Sequence, residues 1–171
     1  MVASFLVTTY DPAVAGRHDW VLLAYRMPRE PSSPRIAVWR RLRKLGAVQI
    51  VDGLVALPAD ARTQEQLEWV ANDAVEAGGE ASVWTARLTS ARQERDLAAR
   101  MAAEAAESYR AVLDEADALR REDEAVPPRT LARLRRELRR INQRDHFPPP
   151  ERDLAHAAVA DLAEAVHDVD A

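Results

Sequence analysis

Apolar residues in the first half of the chain fall into short, dense runs that turn-forming residues separate. The run Trp20–Met27 is the densest, and its length and apolar content predict a buried β-strand. A helix is expected next, with Ser33 as its cap and Pro34 in its first turn. This helix is predicted to continue to Leu45, and Gly46 is suited to end it.

A β-hairpin is expected directly after this helix. The apolar runs Ala47–Val51 and Leu54–Leu57 flank the dipeptide Asp52–Gly53. Asp-Gly between two apolar runs is the strongest short-range signal for a two-residue hairpin, because both turn positions favour positive φ. The pattern therefore predicts two antiparallel strands with Asp52–Gly53 at their tip.

The rest of the first half predicts one more helix and one more strand. Thr63 and Gln66 have the spacing of a capping box for a helix that runs to Ala77. Glu80–Leu88 alternates loosely between apolar and polar residues, which is typical of a final strand. A further strand around Ser4–Thr9 is expected to extend the edge of the sheet.

The predicted elements follow the order β-α-β-β-α-β. That order is typical of the ferredoxin-like sandwich, in which two helices cover one face of a four-stranded antiparallel sheet. We therefore predict an α+β protein whose first domain, residues 1–89, has this ferredoxin-like fold.

Residues 90–171 form a second region, in which apolar residues recur at the three- and four-residue spacing of helices. Three helices are expected, over about Ala91–Glu124, about Thr130–Arg144 and about Glu151–Val169. The apolar positions of the second helix form a single stripe, made of Leu131, Leu134, Leu138 and Ile141. We expect this helical extension to pack on the first domain.

The composition excludes several classes of protein. The 171 residues include 33 alanines and no cysteine, and the net charge is −4. A chain without cysteine has no disulfides and no thiol nucleophile. No apolar stretch approaches the roughly 18 residues that a membrane span needs. We therefore expect a cytoplasmic protein that has no membrane partner.

A basic cluster lies on the first predicted helix, in a domain whose charges are otherwise balanced. Val38 and Leu42 share one side of this helix at about 100° per residue, and most of the cations project from the other side. The functional interpretation is contact with DNA phosphates, which positions a duplex without reading its bases. The alternative is a solvated helix face. The candidate DNA-binding residues are Arg35, Arg40, Arg41, Arg43 and Lys44.

A second arginine cluster occupies the helix expected over Thr130–Arg144. Its members are Arg133, Arg135, Arg136, Arg139, Arg140 and Arg144, with Arg129 just upstream. Residues 88–171 carry an overall charge of −4, so we expect these arginines to pair with acidic residues on the neighbouring helices. Nucleic-acid binding is the second interpretation.

The sequence gives no support to a metal site or a catalytic centre. His156 and His167 share a helix face but lie roughly 16 Å apart along the axis, which is too far for one ion. A nucleophile elbow, a phosphate-binding glycine loop and a zinc-protease motif are all absent. We expect a protein that is not an enzyme and that takes no metal and no cofactor.

Two tryptophans, Trp39 and Trp69, lie outside the main apolar stripes of their predicted helices. Such rings are usually covered by another part of the molecule. Packing within the core of the chain is the favoured interpretation, ahead of a contact with a second subunit. A homodimer is nevertheless the assembly that we expect.

Five stretches of the chain carry a resemblance to a known family. They are W-V-L-L-A-Y-R-M-P-R-E-P-S-S-P-R (Trp20–Arg35), V-W-R-R-L-R-K-L-G-A-V-Q (Val38–Gln49), D-G-L-V-A-L-P (Asp52–Pro58), G-G-E-A-S-V-W (Gly78–Trp84) and I-N-Q-R-D-H-F-P-P-P-E-R (Ile141–Arg152). The chain resembles the N-terminal domain of the ChrB family, which is associated with chromate resistance and regarded as a family of transcriptional regulators.

The resemblance implies a regulatory protein of chromate resistance that contacts DNA. Any oxyanion would be held by arginines and backbone donors, because the chain has no thiol, and Arg26 and Arg29 are the candidates. Full ChrB proteins continue into a second domain, so a partner that supplies this domain is also expected. The alternative function is a non-enzymatic dimerisation or protein-interaction module.

A weaker similarity, at the level of the fold, extends to two other groups. They are the ferredoxin-like nuclease subunit of CRISPR spacer acquisition and the middle domain of PaaX-type repressors. In the nucleases a metal-binding aspartate follows the tyrosine that ends the first strand, whereas here Arg26 follows Tyr25. A cation cannot act as a magnesium ligand. This similarity therefore supports the fold and predicts that nuclease activity is absent.

Overall fold

The chain forms a four-stranded antiparallel sheet and five helices in the part that the computed structural model describes, residues 18–122 and 126–169. The strands are β1 (Trp20–Arg26), β2 (Val48–Val51), β3 (Leu54–Pro58) and β4 (Glu80–Ala86). Their order in the sheet is β2-β3-β1-β4, and each neighbouring pair is antiparallel. The prediction of an α+β protein with an antiparallel sheet is thereby confirmed. The strand expected at Ser4–Thr9 lies outside the described residues.

Side chains on the two central strands form the core of the sheet. Val21 and Leu23 of β1 pair with Leu57 and Val55 of β3, and all four are buried. Paired residues of antiparallel strands point to the same face of the sheet. One face is therefore continuous and aliphatic across β1 and β3.

The turn between β2 and β3 is made by Asp52–Gly53, as predicted. Gly53 has a φ of +75°, and a Cβ atom there would lie 2.5 Å from the carbonyl oxygen of Tyr25. The carbonyl of Gly53 accepts a 2.7 Å hydrogen bond from the backbone N–H of Tyr25. Glycine is thus required here for its backbone conformation and for the close approach of the turn to β1.

Helix α1 spans Ser32–Leu45 and ends, as expected, at Gly46, whose φ is +73°. Its start differs from the prediction, because Pro31 is the N-cap residue and the cap makes no side-chain hydrogen bond. The expectation that Ser33 caps the helix is therefore wrong. Pro34 lies in the first turn, where its missing N–H leaves no intrahelical bond unmade.

Helix α2 spans Ala61–Glu76 and begins earlier than predicted. The carboxylate of Asp60 accepts a 2.7 Å bond from the Thr63 N–H, and Thr63 Oγ1 accepts a 3.0 Å bond from the Asp60 N–H. The capping box is therefore formed by Asp60 and Thr63, and the prediction of Thr63 with Gln66 is wrong. Thr63 is the third residue of the helix, and it is fully buried.

The three expected C-terminal helices are present as α3 (Ala91–Arg121), α4 (Pro128–Arg144) and α5 (Glu151–Val169). The chain divides into two compact units between Met101 and Ala102, within α3. The first unit contains the sheet, α1 and α2, and the second contains α4 and α5. The second unit has its own core, to which α4 contributes Leu131, Leu134, Leu138 and Ile141.

Trp39 of α1 and Trp69 of α2 are 52% and 56% exposed. The favoured interpretation of these two rings, packing within the core of the chain, is therefore wrong. Each ring lies off the buried side of its helix, which Val38 and Leu42 form in α1.

Candidate nucleic-acid interface

Helix α1 presents its cations away from its buried side. Val38 and Leu42 are 3% and 4% exposed, whereas the five candidate residues on this helix are all exposed. The helix is held at its C-terminal end by Gly46, whose N–H donates to the Arg43 carbonyl over 3.2 Å. The basic side chains therefore lie on a helix whose opposite side is buried and whose C-terminal end is at Gly46.

Arg41 forms an ion pair with Asp73 of α2. Both side chains remain more than 40% exposed, so water screens the pair, and it contributes little to stability. The pair has a larger effect on the surface charge, because the Asp73 carboxylate reduces the attraction of Arg41 for a phosphate.

Arg40 and Lys44 differ from Arg41 in this respect. Both are exposed, and neither forms an ion pair or side-chain hydrogen bond with any residue in the described ranges. They are four residues apart, so they lie one above the other at a separation of about 6 Å along the helix axis. Of the predicted contacts, this pair has the charge that is most available to an anion.

Arg43 lies over the ring of Trp39, with its guanidinium carbon 5.7 Å from the ring centre. A guanidinium at this distance is attracted by the negative face of the indole. The contact orients Arg43 along the exposed surface of α1, where Trp39 is 52% exposed.

Of the remaining candidates, Arg26 lies at the end of β1, Arg29 lies in the loop before α1, and Arg35 lies near the start of α1. Arg26 pairs with Glu80 across the strand register at 2.8 Å, and both side chains are about three-quarters exposed. A guanidinium of Arg35 approaches the backbone carbonyl of Arg29 at 3.5 Å, which is at the outer limit of a hydrogen bond. Arg29 itself is exposed. Arg26 is thus already matched by a carboxylate.

A cleft of about 370 Å³ opens beside α1 and the tip of the hairpin. It is lined by Tyr25, Met27, Arg35, Ile36, Trp39, Gln49, Asp52 and Gly53. The Asp52 carboxylate accepts a 2.9 Å bond from the Gln49 amide, and burial with the nearby Asp52 charge raises the pKa of Tyr25. The cleft combines aromatic and aliphatic walls with one cation and one anion, a composition that is common in ligand pockets.

The second unit holds a chain of polar contacts that begins at a fully buried tyrosine. The Tyr109 hydroxyl lies 2.6 Å from Asn142 Oδ1 and 3.0 Å from Asp145 Oδ2, and Asn142 Nδ2 lies 3.1 Å from His156 Nε2. Burial raises the pKa of Asp145 and that of Tyr109, and burial lowers the pKa of His156.

The protons of this chain can be arranged in two ways, because a phenol has one hydrogen and cannot donate to two oxygens. In the first, protonated Asp145 donates to Tyr109, Tyr109 donates to Asn142 Oδ1, and the amide donates to neutral His156. In the second, the Asn142 amide is reversed, Tyr109 donates to the Asp145 carboxylate, and His156 donates to the amide oxygen. Because burial raises the pKa of Asp145, the first arrangement can form up to a higher pH than it would with an ordinary carboxyl group.

The arginines of α4 make fewer ion pairs than predicted. Arg133 pairs with Glu115 of α3, as expected, and Arg140 approaches Glu137 of its own helix at 3.4 Å. Four others are exposed and form no ion pair in the part of the chain that the structure describes, namely Arg129, Arg135, Arg136 and Arg139. Pairing with the neighbouring helices is therefore the wrong interpretation for most of this cluster.

The part of the chain that the structure describes has neither a metal-binding cluster nor a membrane-spanning helix. Residues 18–122 and 126–164 contain no group of three or more histidine, aspartate or glutamate side chains arranged to hold a metal ion. No helix within these ranges combines the length and the apolar character that crossing a bilayer requires.

Residues 35–170 match the family described as "Protein ChrB, N-terminal". The chain belongs to this family. A relative, Protein ChrB of Cupriavidus metallidurans, is 28% identical over 133 residues. The alignment covers 75% of this chain and 40% of the relative, so the chain spans less than half of that protein's length. No solved structure matches the chain.

The match to the ChrB N-terminal family confirms the resemblance drawn from the sequence, and it begins at Arg35. It therefore includes α1 from Arg35 onward and Tyr109 with its polar contacts, whereas Arg26 and Arg29 lie before it. Sequence reasoning did not group Tyr109 with Asn142 and Asp145, which are 33 and 36 residues away. The stretch that begins at Ile141 was the available signal, because it places Asn142 and Asp145 in one family motif.

Proposed function

We propose that this chain is a transcriptional regulator linked to chromate resistance, and that α1 contacts the DNA backbone. Membership of the ChrB N-terminal family supports the pathway. The observation that carries the DNA contact is the exposed pair Arg40 and Lys44, one helical turn apart and without a carboxylate partner among the described residues. Such a contact positions a duplex through its phosphates and is independent of base sequence.

The strand order β2-β3-β1-β4 and the two intervening helices support a ferredoxin-like first domain. We place the protein in the cytoplasm, as a homodimer without catalytic activity. The partners that we propose are DNA, a second copy of the chain and a protein that carries the remaining functions of a ChrB regulator.

The test is a salt titration of binding to a DNA duplex from the upstream region of the protein's own operon. Arg40→Ala and Lys44→Ala are each expected to reduce the slope of log Kobs against log salt by about one unit. Arg62→Ala is the matched control, because Arg62 is an exposed arginine of α2 outside this surface. Equal slopes for all three variants and the unchanged protein would contradict the proposed contact.

A second function, that of a dimerisation or protein-interaction module, is favoured by a separate observation. Trp39, Trp69 and Trp84 of the first unit are 52%, 56% and 60% exposed. Exposed tryptophans are typical anchors of protein interfaces. This function replaces the first if two results are obtained together. Trp69→Ser lowers the sedimentation coefficient, and DNA binding by the unchanged protein has a salt slope of zero.

We also propose that the chain has no nuclease activity. The absence of this activity is supported by Arg26, which stands where related nucleases have a metal-binding aspartate and which pairs with Glu80. Magnesium-dependent cleavage of DNA or RNA by the purified protein, abolished by a change at Asp52, would overturn it.

A further inference from the structure

Helix α4 has one buried side and one strongly cationic side. Its leucine stripe is fixed in the core of the second unit, where Leu134 and Leu138 are 0% and 3% exposed. The helix carries seven arginines and one glutamate. The α4 arginine surface consists of the four that are exposed and form no ion pair in the described ranges, which are Arg129, Arg135, Arg136 and Arg139.

Three carboxylates of the neighbouring helices α3 and α5 are paired with other arginines of the same unit. Glu115 of α3 is paired with Arg133 of α4. Arg110 holds Glu151 at 3.1 Å, and Arg120 holds Asp161 at 3.3 Å. The acidic helices α3 and α5 thus direct several of their carboxylates to arginines outside the α4 arginine surface.

The spacing of the surface suits a polyanion with closely spaced charges. Arg129 and Arg136 are seven residues apart, so they lie within about 20° of each other around the helix and about 10.5 Å apart along it. Arg129 and Arg139 span about 15 Å of the axis. Because each strand of duplex DNA carries one charge per roughly 3.4 Å of the duplex axis, a strand that lies along α4 presents several phosphates within this length.

We propose that the α4 arginine surface is a second contact with the DNA backbone, separate from α1 in both its residues and its structural unit. It shares the DNA partner with the proposed function but rests on none of the α1 residues. Arginine is suited to this contact because its planar guanidinium can form two parallel hydrogen bonds to one phosphate.

The other partners of a basic helix are less compatible with these contacts. A bilayer is bound by amphipathic helices whose apolar side is free, and the leucine stripe of α4 is buried. A protein partner usually supplies or meets an aromatic or aliphatic anchor. In the described part of the second unit the exposed large apolar side chain is Leu154, which lies on α5 rather than α4. A partner bound by charge alone is therefore favoured.

The test uses the full chain and a DNA duplex of random sequence, with binding measured across salt concentrations. The variant replaces Arg129, Arg136 and Arg139 by glutamine. The control replaces Arg62, Arg95 and Arg121 by glutamine, which changes the net charge by the same amount at exposed arginines outside both surfaces. A third protein, in which Arg129, Arg136 and Arg139 are lysines, retains the charge of the surface.

The glutamine variant is expected to lower the salt slope by about 0.9 for each arginine that contacts a phosphate. At 0.1 M salt this corresponds to roughly tenfold weaker binding per arginine. The lysine variant should restore most of the slope, and melting curves should stay unchanged, because the altered residues are exposed.

Three outcomes would overturn the inference. They are a glutamine variant that binds like the control, a lysine variant that binds as weakly as the glutamine variant, or a change in sedimentation coefficient with DNA binding intact. The last outcome would assign the surface to a second copy of the chain. Loss of slope in α4 variants with none in Arg40→Ala and Lys44→Ala would sustain this inference and refute the α1 contact, and the reverse result would do the opposite.

Discussion

The close approach of the hairpin tip to β1 can be tested by adding one methyl group, in the substitution Gly53→Ala. At Gly53 the backbone φ is +75°, and an added Cβ would lie 2.5 Å from the Tyr25 carbonyl oxygen. At Gly78 the φ is +80°, but the nearest atom to an added Cβ is Pro28 Cγ at 3.8 Å. Gly53→Ala and Gly78→Ala therefore share the strained backbone and differ in the steric overlap.

The two costs can be separated in magnitude. A left-handed conformation costs a residue with a Cβ about 1–2 kcal/mol, and the stiffer unfolded chain of the alanine variant returns about 0.4–1 kcal/mol. Gly78→Ala is thus expected to lose about 1 kcal/mol of unfolding free energy. At Gly53 the overlap involves backbone, which cannot rotate away. Forced displacement of packed atoms adds about 1–3 kcal/mol, for a total near 2–4 kcal/mol.

The assay is urea denaturation of both variants, followed by circular dichroism at a fixed pH. The free energy lost by Gly53→Ala should exceed that lost by Gly78→Ala by at least about 1 kcal/mol. Equal losses in the two variants would refute the close approach of the turn to β1, and so would an unchanged Gly53→Ala.

Three further predictions concern the polar contacts. Tyr109→Phe removes the hydroxyl that reaches Asn142 and Asp145, so it should lower the unfolding free energy by about 1–3 kcal/mol, as urea denaturation would measure. Burial raises the pKa of Asp145, so its contribution to stability is present below the ordinary carboxyl pKa and is lost as pH rises through the raised value. The side chain of Asp145→Asn is neutral at both pH 3 and pH 7. The unfolding free energy of this variant minus that of the unchanged protein should therefore be more positive at pH 7 than at pH 3. Equal differences at the two pH values would count against this. Arg41→Ala should change thermal stability little, by within about 0.5–1 kcal/mol, because its pair with Asp73 is exposed.

Local signals in the sequence were enough to locate the main elements. Gly53 and Gly46 each have a positive φ, which few other residues adopt, so the positions of these glycines marked the hairpin tip and the end of α1 correctly. The start of α2 was misplaced because Thr63 can serve either as an N-cap or as the third residue of a capping box. Asp60 decides between these roles, since its own side chain caps the helix.

The candidate sites depended on contacts that no local pattern encodes. The pairing of Arg41 with Asp73 follows from the packing of α1 against α2, and the two residues are 32 positions apart. The charge balance of residues 88–171 predicted pairing for the α4 arginines, yet net charge does not say which carboxylate lies within reach of which guanidinium. The cleft beside α1 is likewise assembled from β1, α1 and the hairpin.

The segregation of charge on α4 affects how the protein behaves in the absence of any specific partner. Seven arginines and one glutamate lie on this helix in a protein whose net charge is −4. A charged matrix interacts with the surface nearest to it, within a Debye length of about 10 Å at 0.1 M salt. At neutral pH and low ionic strength, the protein should therefore be retained by cation-exchange as well as anion-exchange resins, each resin selecting a different orientation of the same molecule.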